Sequence, residues 1–178
     1  MSRIPLVEFE SLDLFLRSLY EGAAENDWAT QRVAQAFSGQ PRLLEDYLEF
    51  YYPWHKEKGV ISARLKELVR LHIATLNGCH TCAAARLTPE DVAEQEALGA
   101  LGTDTSGLET LSRDEQIALD FAERMALDHH SISDADVRRW RDTFGDAGFL
   151  ELAMMTTQYI GFGRVLAVLQ LETVACPI

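Results

Sequence analysis

The chain holds 178 residues, 47% hydrophobic and 25% charged, the balance of a folded chain and not of a disordered one. Its 28 acidic residues against 16 basic ones give a formal charge of −12, which disfavours nucleic acid and anionic membrane surfaces as partners. Three cysteines, Cys79, Cys82 and Cys176, are too few for a disulfide framework. The chain is therefore expected to be a single domain, 1–178, in a reducing cytoplasm. No leader and no run of about 18 apolar residues for a membrane span is read from it.

The predicted elements are helical throughout, because no segment shows the period-two alternation of a strand. Leu12, Leu14, Phe15, Leu16 and Leu19 give a first helix over Glu8 to Tyr20. A second covers Trp28 to Phe37. A third begins at Pro41, a favoured first position, and carries Leu43, Leu44, Tyr47, Leu48 and Tyr51 until Pro53 closes it. His55–Gly59 reads as a polar connector. These N-terminal helices, 1–54, precede an expected core of 55–178. Ser62 to Leu76 forms a strong helix with Leu65, Leu68, Val69, His72 and Leu76 on one face, and Asn77-Gly78 ends it. A short helix starts near Cys79. Further starts are signed by Thr88-Pro89, by the capping box Ser112 to Glu115, and by Ser133 to Asp136. Gly99–Gly107 is a loop. The last helix, Gly148 to Leu171, is apolar on most sides and contains Gly161 and Gly163, which fits a helix packed close to another.

The chemistry concentrates in Glu67 to Cys82. A Cys-x-x-Cys pair at a helix start places two thiols on one turn, within reach of a disulfide, and a helix N-terminus favours the thiolate. Two bland readings compete. Structural zinc needs four ligands, and beyond His72 and His80 no second pair is at hand. Inert buried cysteines are the other. Glu67 is a candidate proton acceptor with a raised pKa if buried, or else a surface ion-pair partner of Arg64 or Arg70. His80, between the cysteines, is a candidate stabiliser of a thiolate. His72 reads as a satisfied core histidine, His129 and His130 as loop residues, and Cys176 as a spare thiol.

The run Arg64-Leu-Lys-Glu67-Leu-Val-x-Leu-x-Ile-Ala-x-Leu-Asn77-Gly78-Cys79-x-x-Cys82 resembles the core motif of the carboxymuconolactone decarboxylase/AhpD superfamily. Leu111 to Met125, Ile132 to Val137, and Glu151-Leu with Phe162-Gly-Arg164-Val-Leu resemble its later helices. The resemblance implies an all-α, AhpD-like helical bundle, assembled as a trimer or hexamer, with a dimer as the smaller alternative. It implies a thiol-dependent alkylhydroperoxidase or disulfide reductant that needs no cofactor or metal. Carried over, Cys82 attacks the peroxide, Cys79 resolves, and Glu67 belongs to the proton relay. Two positions depart from the pattern: Thr81 and Arg86 stand where the family has histidines. Arg86 cannot carry a proton at neutral pH, but it can stabilise a thiolate or hold an anionic substrate. His80 is one position, about 100°, from the family's inter-cysteine histidine.

The leading expectation is thus a peroxidase returned to the dithiol by lipoamide or a thioredoxin-like protein. A cysteine-independent decarboxylase, with Arg86 on a carboxylate, is one alternative. A non-catalytic oligomeric scaffold or stress protein with ordinary thiols is the other.

Overall fold

The computed structural model describes residues 2–23, 27–102, 107 and 109–171, with Trp28 described by its backbone alone. Every regular element among them is helical. The chain divides into two compact units, Met1–Tyr52 with Arg164–Ile178, and Pro53–Gly163.

In the first unit, α1 (Leu14–Glu21) begins later than the apolar spacing predicts. Asp13 caps it by accepting the Leu16 N–H at 2.8 Å, and a 3-10 turn, Phe9–Ser11, precedes it. An aspartate that bonds the third N–H onward fixes the start more firmly than an apolar stripe does. Asp27 caps α2 (Trp28–Ala36) in the same way. Leu16, Ala34, Leu44 and Leu171 are the most deeply buried described side chains of this unit.

Pro53 does not close α3, which runs Pro41–Lys56 across the boundary between the units. Proline removes one backbone donor, but the N–H groups of Glu57 and Lys58 still bond to the Pro53 carbonyl at 2.9 and 2.8 Å. The following residues are held from within the second unit. Buried Lys66 donates from Nζ to Trp54 O at 2.6 Å and Lys58 O at 2.7 Å. The predicted connector at His55 is therefore helical.

The second unit is organised on α4 (Ala63–Leu76), capped by Ser62. Leu65 to Leu71 are buried without interruption, so the helix is enclosed on all sides there, charged residues included. After α5 (His80–Ala84) the expected helix at Thr88 is absent. Those residues form a turn closed by Asp91 N–H on Thr88 O at 3.1 Å. α6 (Glu94–Ala100) starts later, where the Glu96 carboxylate accepts the Ala93 N–H at 2.9 Å. The reason is Arg64 on α4. Its guanidinium holds Glu96 by two bonds of 2.8 Å, Asp91 O at 3.0 Å, and Glu115 on α7 (Arg113–Leu127) at 2.6 Å. Of the Gly99–Gly107 loop, Gly99 and Ala100 are helical and residues 103–106 lie outside the described residues.

The two helices predicted from Ser133 and Gly148 are continuous in α8 (Asp134–Leu169) apart from a break at Gly145, whose φ of 68° suits glycine. Before the break, Trp140 is fully buried, with its ring 4.9 Å from that of Phe121. After it, Glu151 accepts Lys66 Nζ at 2.6 Å and the Val60 N–H at 2.6 Å, so a buried ion pair clasps the α3–α4 connection. Among the described residues, α8 alone is long and apolar enough to cross a membrane, which the absence of an unbroken apolar run did not suggest. Its buried Leu152, Met155, Thr156 and Tyr159 make it a packing element of this fold.

The two glycines of α8 differ. A Cβ on Gly163 would lie 2.7 Å from Asn77 Nδ2, while one on Gly161 would meet nothing within 4 Å. Asn77 needs that room to donate to Tyr159 O at 3.3 Å and Ile160 O at 3.2 Å. Gly163→Ala should cost about 1–3 kcal/mol by forcing Asn77 away, despite alanine's better helix propensity. Urea unfolding checks this, and a stabilised variant would contradict the close packing.

Candidate functional site

The site lies within the second unit, where α4 ends at Asn77 and Gly78 takes a φ of 64°. That left-handed glycine turns the chain so that Cys79 caps α5, its sulfur accepting the Cys82 N–H at 3.2 Å. Cys79 and Cys82 form a disulfide across this turn, with Cα atoms 5.2 Å apart. The two sulfurs differ in access: Cys79 is 1% exposed, whereas Cys82 is half-buried.

Beneath the turn lies a buried charged network. Glu67 is fully buried and accepts Arg70 Nε at 2.7 Å and Arg70 Nη2 at 2.9 Å. The Leu87 N–H donates at 3.0 Å to Oε1, the oxygen that also accepts Arg70 Nη2, and His55 Nε2 stands 3.2 Å from Oε2. Arg70 continues from Glu67 to the cysteine turn, donating to Cys82 O at 2.6 Å and to Ala85 O. The expected surface ion pair is thus an interior one, made with Arg70 and not with Arg64.

This pairing reverses the expected pKa direction of Glu67. Burial pushes the carboxyl up, but the Arg70 hydrogen bonds, His55 and the Leu87 N–H outweigh it and hold it at about 2. Glu67 is a fixed anion at neutral pH. Burial moves His55 the other way, below the ordinary imidazole value, with Glu67 opposing. His55 is therefore a neutral imidazole, and its Nδ1 stands 2.9 Å from Tyr159 Oη.

The remaining sequence candidates fall as follows. Arg86 joins the site: its Nε is 3.7 Å from Glu67, while Nη1 donates to Glu94 at 3.0 Å and Nη2 to Val92 O at 2.6 Å. His80 is exposed on α5. His72 is only partly buried at 18% exposure, and bridges Ala100 O at 3.1 Å and Glu123 at 3.4 Å. The His129 and His130 rings lie 4.1 Å apart and tilted to each other in a 3-10 turn. Cys176 lies outside the described residues. Among the described residues no group of three or more His, Cys, Asp or Glu is placed to hold a metal ion.

Sequence reasoning missed His55 and Tyr159. His55 follows a proline read as a helix end, and Tyr159 sits in a helix read as apolar packing. The run Tyr51-Tyr52-Pro53-Trp54-His55 held one signal, since so aromatic a stretch favours burial.

These helices about a Cys-x-x-Cys turn define the AhpD-like helical fold. A solved structure described as an alkylhydroperoxidase AhpD core, an uncharacterized peroxidase-related protein from Ralstonia eutropha, superposes with a TM-score of 0.73 at 18% identity, covering 98% of this chain and 93% of that one. An uncharacterized peroxidase-related protein from Silicibacter sp. superposes with a TM-score of 0.75 at 17% identity, covering 98% of this chain and 96% of that one. No family model matches the sequence, and no curated protein matches it.

Proposed function

We propose that this chain is a thiol-dependent redox enzyme that reduces organic hydroperoxides by cycling Cys79 and Cys82 between dithiol and disulfide. The observation that carries this reading is the pair itself: one turn brings both sulfurs to bonding distance, one buried and one accessible, above a buried ion pair. The peroxidase-related names of the neighbours support it.

In the cycle, the Cys82 thiolate attacks the terminal oxygen of the hydroperoxide. The O–O bond breaks, the alkoxide leaves as an alcohol with a proton, and Cys82 becomes a sulfenic acid. The Cys79 thiol then attacks that sulfur, water leaves, and the disulfide forms. A dithiol such as lipoamide, or a thioredoxin-like protein, restores the pair by exchange. The accessible Cys82 suits attack on a substrate, and the buried Cys79 suits resolution. Glu67 acts as the anchor of Arg70, not as a base, since its carboxyl stays ionised. Arg86 adds a second positive charge beside Glu67, and His80 is exposed on α5. A lactone-acid substrate would need Arg86, which Glu94 and Val92 O already engage.

Turnover with dihydrolipoamide and an alkyl hydroperoxide tests this. Peroxide loss should require both protein and dithiol, and a rate equal to the dithiol alone would contradict it.

The cycle belongs in a reducing cytoplasm, where a dithiol pool exists. The protein is further proposed to self-associate through α8, where Leu150 is 65% and Met154 56% exposed. Leu150→Lys with Met154→Lys should lower the mass measured by light scattering to that of a single chain. An unchanged oligomer would place the contact elsewhere.

A further inference from the structure

The network under the cysteine turn reaches beyond the motif residues, because His55 comes from the end of α3 and Tyr159 from α8. His55 is fully buried, and its ring nitrogens have different neighbours. Glu67 Oε2 is 3.2 Å from Nε2, and Tyr159 Oη is 2.9 Å from Nδ1. Beside an ionised carboxylate the proton belongs on Nε2. Nδ1 is then an acceptor, and the Tyr159 hydroxyl donates to it. One tautomer satisfies both contacts.

Each end of this chain of contacts grips the cysteine turn. The backbone carbonyl of Tyr159 accepts Asn77 Nδ2 at 3.3 Å, and Asn77 stands just ahead of Gly78-Cys79. At the other end Glu67 holds the Leu87 N–H at 3.0 Å and Arg70, whose guanidinium reaches Cys82 O at 2.6 Å. The turn is thus held before Cys79 and after Cys82 by the same buried group. The other charged groups facing His55 are Arg70 and Lys66, and Lys66 is engaged by Trp54 O, Lys58 O and Glu151.

We propose that His55 and Tyr159 are positioning residues for the cysteine pair: they lock Glu67 so that Arg70 stays against Cys82 O, and thereby set the reactivity of the Cys82 thiol. This rests on the redox reading of Cys79 and Cys82. Both act through Glu67 and Arg70. A guanidinium held beside Cys82 favours its thiolate, and releasing it makes the thiol less acidic. Buried partners that orient a reactive group act in this way at other sites.

The test is the rate of alkylation of Cys82 by iodoacetamide in the fully reduced chain, followed across pH and assigned by peptide mass, with thermal unfolding alongside. Tyr159→Phe keeps the ring and removes only the hydroxyl. His55→Phe removes both contacts, and His55→Gln keeps a donor and an acceptor. Tyr159→Phe should slow Cys82 alkylation at pH 7 by about fivefold, the effect of one lost buried hydrogen bond. It should also move the midpoint of the pH profile upward. His55→Phe should do at least as much, and His55→Gln should recover part of the loss. A wild-type pH profile in folded Tyr159→Phe would overturn the proposal, and that variant decides the matter even if His55→Phe fails to fold. Alkylation needs no peroxide, so it reports on positioning independently of the redox reading. That reading fails separately, if the wild-type pair does not cycle with dithiothreitol and an alkyl hydroperoxide.

Discussion

Cys82→Ser should end peroxide-driven disulfide formation completely, while Cys79→Ser should leave Cys82 competent for the first step alone. The two thiols are chemically alike but stand in different places. Cys79 is buried and its sulfur accepts the Cys82 N–H, whereas Cys82 is half-buried and its carbonyl carries the Arg70 guanidinium. A serine hydroxyl at the attacking position has too little anion at neutral pH to replace a thiolate. In Cys79→Ser the sulfenic acid on Cys82 has no resolving thiol beside it, so a dimedone adduct should accumulate there, found by peptide mass. An adduct confined to Cys79 in the Cys82→Ser chain, formed at the wild-type rate, would reverse the assignment.

Glu67→Gln should be the most damaging single change to stability. Gln keeps the size of the side chain but leaves the Arg70 charge buried without its counter-ion, and Arg70 is only 5% exposed. Removing one partner of a buried pair costs about 3–5 kcal/mol. For a chain of this length each kcal/mol moves the melting temperature by about 2–4 °C, so the drop should be about 10 °C. The difference from wild type should depend on pH. The Glu67 carboxyl is held at about 2 in the fold against an ordinary value of 4.5, so its contribution is complete above 4.5. It is lost as pH falls toward 2, because the unfolded chain then binds a proton that the folded chain does not. His55, lowered by burial with Glu67 opposing, erodes stability as pH falls below the ordinary imidazole range, and more so in the variant, which lacks that carboxylate; the Glu67 contribution is therefore read below pH 4.5. The stability gap should narrow between pH 4.5 and 2. Equal melting temperatures at pH 7 would show that the pair is not holding the turn.

What was legible in the sequence was local. Ser62, Ser112 and Asn77 mark helix ends through bonds to backbone a few residues away, and the structure uses each of them. The position of Glu67 ahead of Cys79 was legible because one helix and one turn connect them. What was hidden depended on distant partners. Pro53 stops a helix by local rules, yet Lys66 gathers the carbonyls around it. Thr88-Pro89 has the form of a helix start, yet Arg64 draws Asp91 O and Glu96 into a turn and a later helix. Burial correctly suggests a raised pKa for Glu67, and only the position of Arg70, His55 and Leu87 N–H reverses it. His55 and Tyr159, more than 100 residues apart, meet only in the folded chain.

The redox reading of the cysteine pair is tested most directly by intact-mass analysis of the reduced wild-type chain after brief exposure to an equimolar alkyl hydroperoxide. The expected result is the loss of two hydrogens, mapped to a peptide containing Cys79 joined to Cys82. An unchanged mass, or only the slow addition of oxygen atoms, would contradict it.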